Sequence, residues 1–389
     1  MREDGVQEEL FRSDNLLVRR AGATPGQRSG ASGRAVIVTF GSYTTEDTLD
    51  RPAFAEDFLR KAGLDAVHVI NRRNRWYQHS ERPAALAAVA VATRGYDRVI
   101  TYGSSMGGYA ALRYAVACGA DTAIALSPQF SVDPRVAPWE TRWQADVART
   151  RFAEPPYAGA PTAYVFYDPR QALDARHAAM IADASSAATA IPIPFGGHPV
   201  GPLLVETGAL QRAIHAIVAG DFHPFAVRQQ VRRARRQSQH QHFILARHCA
   251  PRRPATALRL LERAAAIEPE SHILSAQAAL LDSLGRPADA APLHRAALQR
   301  TPGNIHARIA FAAHQEITGD HAGAAHSLHL AAKGQSGSML LFVRLRQMRL
   351  WLRRHRLHAA DRLVERAIAR SSRSRFHAAL LRRIGTHMR

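Results

Sequence analysis

DRVITYGSSMGGYAA, residues 97–111, is the most informative stretch of this sequence. It opens with a β-favouring apolar run, residues 99–102, and continues through the G-x-S-x-G pattern of residues 103–107 into a helix-favouring run, residues 109–118. A strand, a tight turn and a helix are the setting in which such a serine is exposed as a nucleophile. A turn this sharp leaves little room for side chains, which explains the glycines two residues before and after Ser105. The pattern therefore predicts that Ser105 is a nucleophile.

Strand-like and helix-like segments alternate on both sides of this stretch. The predicted strands are residues 35–40, 66–70, 99–102, 122–126, 162–167 and 190–194, and the predicted helices between and after them include residues 52–62, 82–93 and 201–218. This alternation predicts an α/β fold: a mostly parallel sheet with helices on both faces. We expect residues 35–221 to form this domain after an N-terminal extension, residues 1–34, with one short strand.

The segment between the strands at 122–126 and 162–167 contains no strand-like run. Residues 132–158 instead carry Trp139, Trp143 and a Pro-Pro pair. Long connections of this kind inside compact domains are often functional lids. We expect this segment to form a small cap over the site.

A serine nucleophile needs a base to take its proton and an acid to orient that base. His198 follows the last predicted strand, after the flexible pair Gly196-Gly197, and Asp168 stands immediately after the strand at 162–167. Both would lie on the same sheet edge as Ser105. Asp174, one helical turn beyond Asp168, and Asp133, after the preceding strand, are the alternatives for the acid.

On these residues, positions 35–218 resemble the α/β-hydrolase superfamily, in particular its serine esterases. The resemblance implies a catalytic triad in which Ser105 is the nucleophile, Asp168 the acid and His198 the base, in the chain order of that family. It also implies hydrolysis of an ester or thioester bond, or the related transfer of an acyl group.

The same resemblance implies an oxyanion hole, a pair of amides that stabilise the negative charge of the intermediate. One is the amide of Met106, which follows the nucleophile, and the other comes from the loop after the first parallel strand, at Gly41 or Ser42. That loop reads FGSY here in place of the family's HGGG form.

Aromatic residues among arginines form a second candidate feature. The run NRRNRWYQ, residues 71–78, follows a strand and would therefore lie on the edge that carries Ser105. Trp76 and Tyr77, together with Tyr43, are candidate contacts for a sugar or an anionic substrate. The competing interpretation is loop packing beside a solvated basic edge.

The second half of the chain repeats itself with a period of 33–34 residues. Arg253-Pro254-Ala255 recurs as Arg286-Pro287-Ala288, and Glu268-Pro269 recurs as Thr301-Pro302. Such a period indicates repeated helix-turn-helix units. Leu284-Gly285, Ala290, Ala297 and Pro302 resemble the small and helix-breaking positions of the tetratricopeptide repeat. We place the repeats at residues 239–271, 272–304 and 305–338, with a degraded fourth at 339–372.

Charge divides the chain in the same place. From His223 onward lie 29 of the 52 Lys and Arg residues but only 9 of the 32 Asp and Glu residues, which leaves 23 of each before it. The neutral and basic halves predict a boundary near residue 222, a basic linker at 222–238 and a basic tail at 373–389. Docking on an anionic surface follows as one hypothesis, whereas nucleic-acid binding is disfavoured because no recognisable module for it is present.

Other classes of site and location leave little trace in the sequence. No H-E-x-x-H pattern, paired cysteines or G-x-x-x-x-G-K phosphate loop occurs, so we expect neither a metal nor a cofactor. No apolar run is long enough to span a membrane, and no secretory signal is visible. With only two cysteines the sequence favours a cytoplasmic protein.

Two functions therefore compete. The first is a serine hydrolase or acyltransferase that acts on a small-molecule or saccharide ester, with the repeats as a docking domain. The second is a non-catalytic scaffold of hydrolase fold whose repeats bind a protein partner. The distance between His198 and Ser105 in the folded chain discriminates between them.

Overall fold

The computed structural model describes residues 7–22, 34–155, 157–335 and 337–371. The chain divides into two compact units between Arg235 and Arg236. The tail predicted at residues 373–389 lies outside the described residues.

The first unit is built on one eight-stranded sheet. Its strands are β1 (Gln7–Arg12), β2 (Leu16–Ala21), β3 (Ala35–Phe40), β4 (Asp65–Asn71), β5 (Arg98–Ser104), β6 (Thr122–Leu126), β7 (Thr162–Tyr167) and β8 (Ala188–Pro192). They lie in the order β1-β2-β4-β3-β5-β6-β7-β8. From β4 to β8 every pairing is parallel, while β1 and β2 add an antiparallel edge. The predicted fold class is confirmed.

Helices cover both faces of this sheet. They are α1 (Glu56–Lys61), α2 (Arg82–Ala92), α3 (Met106–Arg113), α4 (Gln144–Val147), α5 (Ala172–Ala184), α6 (Gly201–Glu206), α7 (Ala209–Ala219) and α8 (Pro224–Ala234). Apolar residues of α2, α3 and α5 share one core with one set of strand side chains. Those of α1, α6, α7 and α8 share a second core with the other set. This is the layered arrangement that buries a parallel sheet on both sides.

Two segments differ from their sequence-based descriptions. The first is the expected N-terminal extension, which supplies two strands, β1 and β2, rather than one. Strand β2 buries Leu16, Leu17 and Val18. Strand β1 was not predicted because its sequence is polar. The second is the expected basic linker, where α8 forms instead. Val227 and Val231 of α8 are buried with α7, so this segment belongs to the core of the first unit.

The second unit is entirely helical in its described residues. Its helices are α9 (Gln239–Cys249), α10 (Pro254–Ile267), α11 (Ser271–Ser283), α12 (Pro287–Arg300), α13 (Ile305–Ile317), α14 (His321–Ala332), α15 (Gly337–Arg354) and α16 (His358–Ser371). Each helix packs against its neighbours along the chain, and small residues such as Ala290 and Ala297 are fully buried between them.

None of the helices in the described parts of the chain combines the length and the apolar composition that crossing a membrane requires.

Candidate active site

The turn between β5 and α3 holds Ser105 in an unusual backbone conformation. Its φ of 52° and ψ of −116° lie outside the regions that ordinary residues favour. The flanking glycines are required by close packing, because a Cβ on Gly103 would overlap the backbone of Gly107 and one on Gly107 would overlap that of Phe40. The turn therefore places the Ser105 side chain at the carboxyl end of the sheet, over the start of α3.

A hydrogen-bonded chain of three side chains starts at this serine. Ser105 Oγ lies 3.1 Å from His198 Nε2, and His198 Nδ1 lies 2.7 Å from Asp174 Oδ2. Asp174 is buried in the first turn of α5, and His198 sits on the loop between β8 and α6. A hydroxyl, an imidazole and a carboxylate thus form one hydrogen-bonded chain, the arrangement that a serine nucleophile requires.

Asp168 occupies a different position from the one that the sequence suggested. Its carboxylate accepts backbone N–H groups from Phe195 at 3.0 Å and Gly197 at 2.9 Å, and from Arg170 at 2.9 Å. These bonds fix the loop that carries His198, so Asp168 positions the backbone, while Asp174 contacts the imidazole. The other alternative, Asp133, pairs with Arg135 instead.

Arg142 clamps the far side of the Asp174 carboxylate. Its Nη1 donates to Asp174 Oδ1 at 2.6 Å and lies 3.3 Å from His198 Nδ1, while its Nη2 donates to Glu140 Oε2 at 2.7 Å. Burial alone would raise the pKa of Asp174, but the hydrogen bond from His198 and the charge of Arg142 outweigh it and lower the pKa. Asp174 is therefore ionised when His198 accepts a proton.

The same network extends to a second buried histidine. Glu140 Oε2 lies 3.0 Å from His177 Nε2, and burial lowers the pKa of His177 despite this carboxylate. Burial opposes ionisation of Glu140, yet the hydrogen bonds from His177 and Arg142 bring its pKa to about 2. The segment predicted as a cap thus contributes a charged pair to the site, which no sequence motif announced.

The three amides proposed for the oxyanion hole differ in whether the sheet already uses them. Met106 begins α3, where the first backbone N–H groups of a helix have no partner within the helix. The Gly41 N–H, in contrast, donates to Val69 O at 3.1 Å and is committed to the sheet. Ser42 lies beside the turn and its hydroxyl donates to Ser104 O at 2.9 Å. Of the two loop candidates only Ser42 keeps its amide out of the sheet.

The aromatic candidates for substrate contact are mostly structural. Trp76 and Tyr77 are 0% and 1% exposed, so they are closed to a substrate and the loop-packing interpretation holds. The Tyr77 hydroxyl donates to Gly41 O at 2.8 Å. Tyr43 is 42% exposed, and its hydroxyl donates to Asp146 in the cap segment at 2.9 Å.

A cavity of about 340 Å³ opens beside this tyrosine, between the loops after β3 and β4 and the cap segment. Four arginines and three carboxylates line its walls; they are Arg72, Arg73, Arg75, Arg149, Glu46, Asp47 and Asp146. Carboxyl ends of parallel strands are where ligands of open α/β sheets bind.

Within the described part of the second unit, one buried cluster offers donors of the kind that zinc accepts. The two carboxylate oxygens of Asp282 lie 2.9 Å from His294 Nε2 and 2.8 Å from His314 Nδ1. The remaining nitrogen of His294 is buried without a partner among the described residues, whereas a metal-bound histidine normally donates its second N–H. We interpret the cluster as hydrogen bonds that join α11, α12 and α13.

No protein-family model matches the chain, and no curated protein does either. Solved structures do. A serine hydrolase without a lid from Xanthomonas campestris is 17% identical over 50% of this chain and 85% of its own, with a TM-score of 0.34. An esterase from Thermogutta terrifontis is 16% identical over 57% of this chain and 97% of its own, with a TM-score of 0.39.

A third similar structure is the capsule O-acetyltransferase of Neisseria meningitidis serogroup A. It is 12% identical over 48% of this chain and 86% of its own, with a TM-score of 0.33. The Xanthomonas neighbour is an α/β serine hydrolase, and each of the three structures covers about half of this chain.

Proposed function

We propose that the first unit is a serine-dependent acyl hydrolase or acyltransferase that acts on an ester or thioester. Ser105 is the nucleophile, His198 the general base and Asp174 the acid that orients it. The observation that carries this proposal is the continuous hydrogen-bonded chain from Ser105 Oγ through His198 to Asp174, at 3.1 and 2.7 Å. Such a chain activates a hydroxyl that is otherwise a weak nucleophile.

The reaction follows from this geometry. His198 Nε2 takes the hydroxyl proton as Ser105 Oγ bonds to the carbonyl carbon, and the carbonyl electron pair moves to oxygen. Collapse of this intermediate expels the alcohol or thiol, which receives the proton from His198, and leaves an acyl group on Ser105. Water, or the hydroxyl of an acceptor such as a saccharide, then attacks the acyl-enzyme with His198 again as the base. This second intermediate collapses with release of the acid or the new ester, and Ser105 Oγ leaves and regains its proton from His198.

A fluorophosphonate probe tests the proposal, because it labels only an activated serine. We expect the wild-type chain to be labelled and to hydrolyse short p-nitrophenyl esters, and Ser105→Ala to lose both while remaining folded. Ser104→Ala is the matched control, since Ser104 is the neighbouring serine, whereas the hydroxyl that pairs with His198 Nε2 in the described structure is that of Ser105. Labelling that survives in Ser105→Ala would refute the assignment of Ser105 as the nucleophile. If labelling is lost, a panel of esters with different acyl chain lengths defines the preferred substrate.

For the second unit we propose tetratricopeptide-like repeats. The odd-numbered helices α9, α11, α13 and α15 start at Gln239, Ser271, Ile305 and Gly337. These starts are 32, 34 and 32 residues apart, close to the 34-residue period of that repeat. Repeats of this class commonly present a surface to a protein partner, which becomes the favoured role of the chain if Ser105 proves inert.

A further inference from the structure

Gln129 lies beside the nucleophile, on the segment that follows β6. Its side chain is 1% exposed, and its Nε2 donates to Ser105 Oγ at 3.3 Å. The same amide nitrogen lies 3.4 Å from Ser127 O. A buried side-chain amide in contact with a reacting atom is a candidate for more than packing.

The direction of this amide is determined by its other neighbour. Trp76 Nε1 lies 3.0 Å from Gln129 Oε1, and an indole N–H can only donate. The carbonyl oxygen of Gln129 must therefore face Trp76, and the NH₂ group must face Ser105. The opposite orientation would set two donors against each other and leave the buried indole N–H unsatisfied.

The backbone supports the same arrangement. Trp76 and Tyr77 have φ values of 48° and 57°, a region in which bulky residues are rarely found. Two consecutive residues in this conformation represent backbone strain, which persists only where the surrounding structure imposes it. The strained turn buries the indole between Gln129 and Trp143, whose ring lies 5.3 Å from that of Trp76.

A side-chain donor would add to the backbone amides at this site. The Gly41 amide is used by the sheet, which leaves Met106 and Ser42 as backbone donors near the turn. Asparagine and glutamine side chains can serve in an oxyanion hole alongside backbone amides.

We propose that Gln129 is a catalytic residue whose side-chain NH₂ donates to the oxyanion of the tetrahedral intermediate, with Trp76 holding the amide in the donating orientation. The inference rests on the function proposed above. When Ser105 Oγ bonds to the carbonyl carbon, the oxyanion is attached to that same carbon. It therefore lies close to Oγ and within reach of Gln129 Nε2, which already donates to Oγ. The charge develops as the bond forms, so the donor acts on the transition state more than on bound substrate.

Kinetics of Gln129→Ala test this role. We expect kcat to fall about 100-fold, at the low end of losses for one oxyanion donor, with KM within about twofold. Trp76→Phe keeps an aromatic ring, although a smaller one, and removes the indole N–H, so we expect a smaller fall in kcat. Gln230→Ala is the matched control, because Gln230 is a half-buried glutamine of the same unit whose amide donates to Thr207 O at 2.7 Å, on α8 rather than at the site.

A trifluoromethyl ketone separates catalysis from packing, since it adds to Ser105 as a tetrahedral adduct. Its inhibition constant should rise in Gln129→Ala by about the factor by which kcat/KM falls. The inference is overturned if kcat/KM falls in Gln129→Ala while the inhibitor affinity is unchanged, or if folded Gln129→Ala has wild-type kinetics. In either case, labelling of Ser105 in the wild-type chain would still support the proposed function. Absence of labelling in the wild-type chain overturns both.

Discussion

Replacement by asparagine should affect different properties at the two aspartates near His198: catalysis at Asp174 and stability at Asp168. Asp174→Asn keeps the shape of the side chain but leaves only one carbonyl oxygen. Arg142 carries a full positive charge at 2.6 Å from Asp174 Oδ1, so the remaining oxygen should turn to it. The NH₂ group then faces His198 Nδ1 and makes that nitrogen the acceptor. In this tautomer Nε2 carries the proton and cannot take one from Ser105.

The expected magnitude follows from that wrong tautomer. The corresponding change in a serine protease triad lowers kcat by about 10⁴, which is about 5 kcal/mol of lost transition-state stabilisation. We expect a fall of about 10³ to 10⁴ in kcat for Asp174→Asn. Asp174 is 1% exposed and sits behind the imidazole, so KM should change little.

Asp168→Asn should instead lower stability. Its carboxylate accepts three backbone N–H groups, and an NH₂ in place of one oxygen leaves at least one of them unsatisfied. That loss costs about 1–3 kcal/mol, or several degrees in the unfolding midpoint of a unit of this size.

The assay compares kcat and KM on a p-nitrophenyl ester with the thermal midpoint for both variants. The reasoning is refuted if Asp174→Asn keeps near wild-type kcat. It is equally refuted if Asp168→Asn, fully folded at the assay temperature, loses as much kcat as Asp174→Asn.

Two further predictions concern stability. Burial lowers the pKa of His68 from 6.5 to about 4, so the unfolded chain takes up a proton there that the native chain does not, and stability falls as the pH drops from about 6.5 to 4. At pH 5 this contribution is about 2 kcal/mol. His79 has a pKa lowered in the same way, so urea unfolding should show a loss in both proteins, smaller by about 2 kcal/mol in His68→Asn than in the wild type; an equal loss in both contradicts the assignment. In the second unit, Ala297→Leu should destabilise by about 1–3 kcal/mol because Ala297 is fully buried. Ala288→Leu on the exposed face of the same helix should stay within about 0.5 kcal/mol. Equal midpoints in thermal unfolding would count against the helix packing described for this unit.

Much of the fold was predictable because its signals are local. Continuous apolar runs at β3 and β5 indicate strands buried on both faces, and their alternation with helical segments indicates a parallel sheet. The weaker elements escaped for equally local reasons. The polar sequence of β1 resembles a loop, and the arginines of α8 hid the two valines, Val227 and Val231, that bury it.

The sequence by itself determined the parallel sheet, the turn at Ser105 and the placement of His198 on a loop at the same edge, because each depends on residues adjacent in the chain. Only the tertiary structure decided that Asp174 rather than Asp168 meets the imidazole, and that Arg142 and Gln129 join the site. Asp174 lies on α5, after β7, whereas Gln129 and Arg142 lie on the segment after β6, and a hydrogen bond depends on differences of an ångström between such separate segments. No spacing along the chain encodes such a distance.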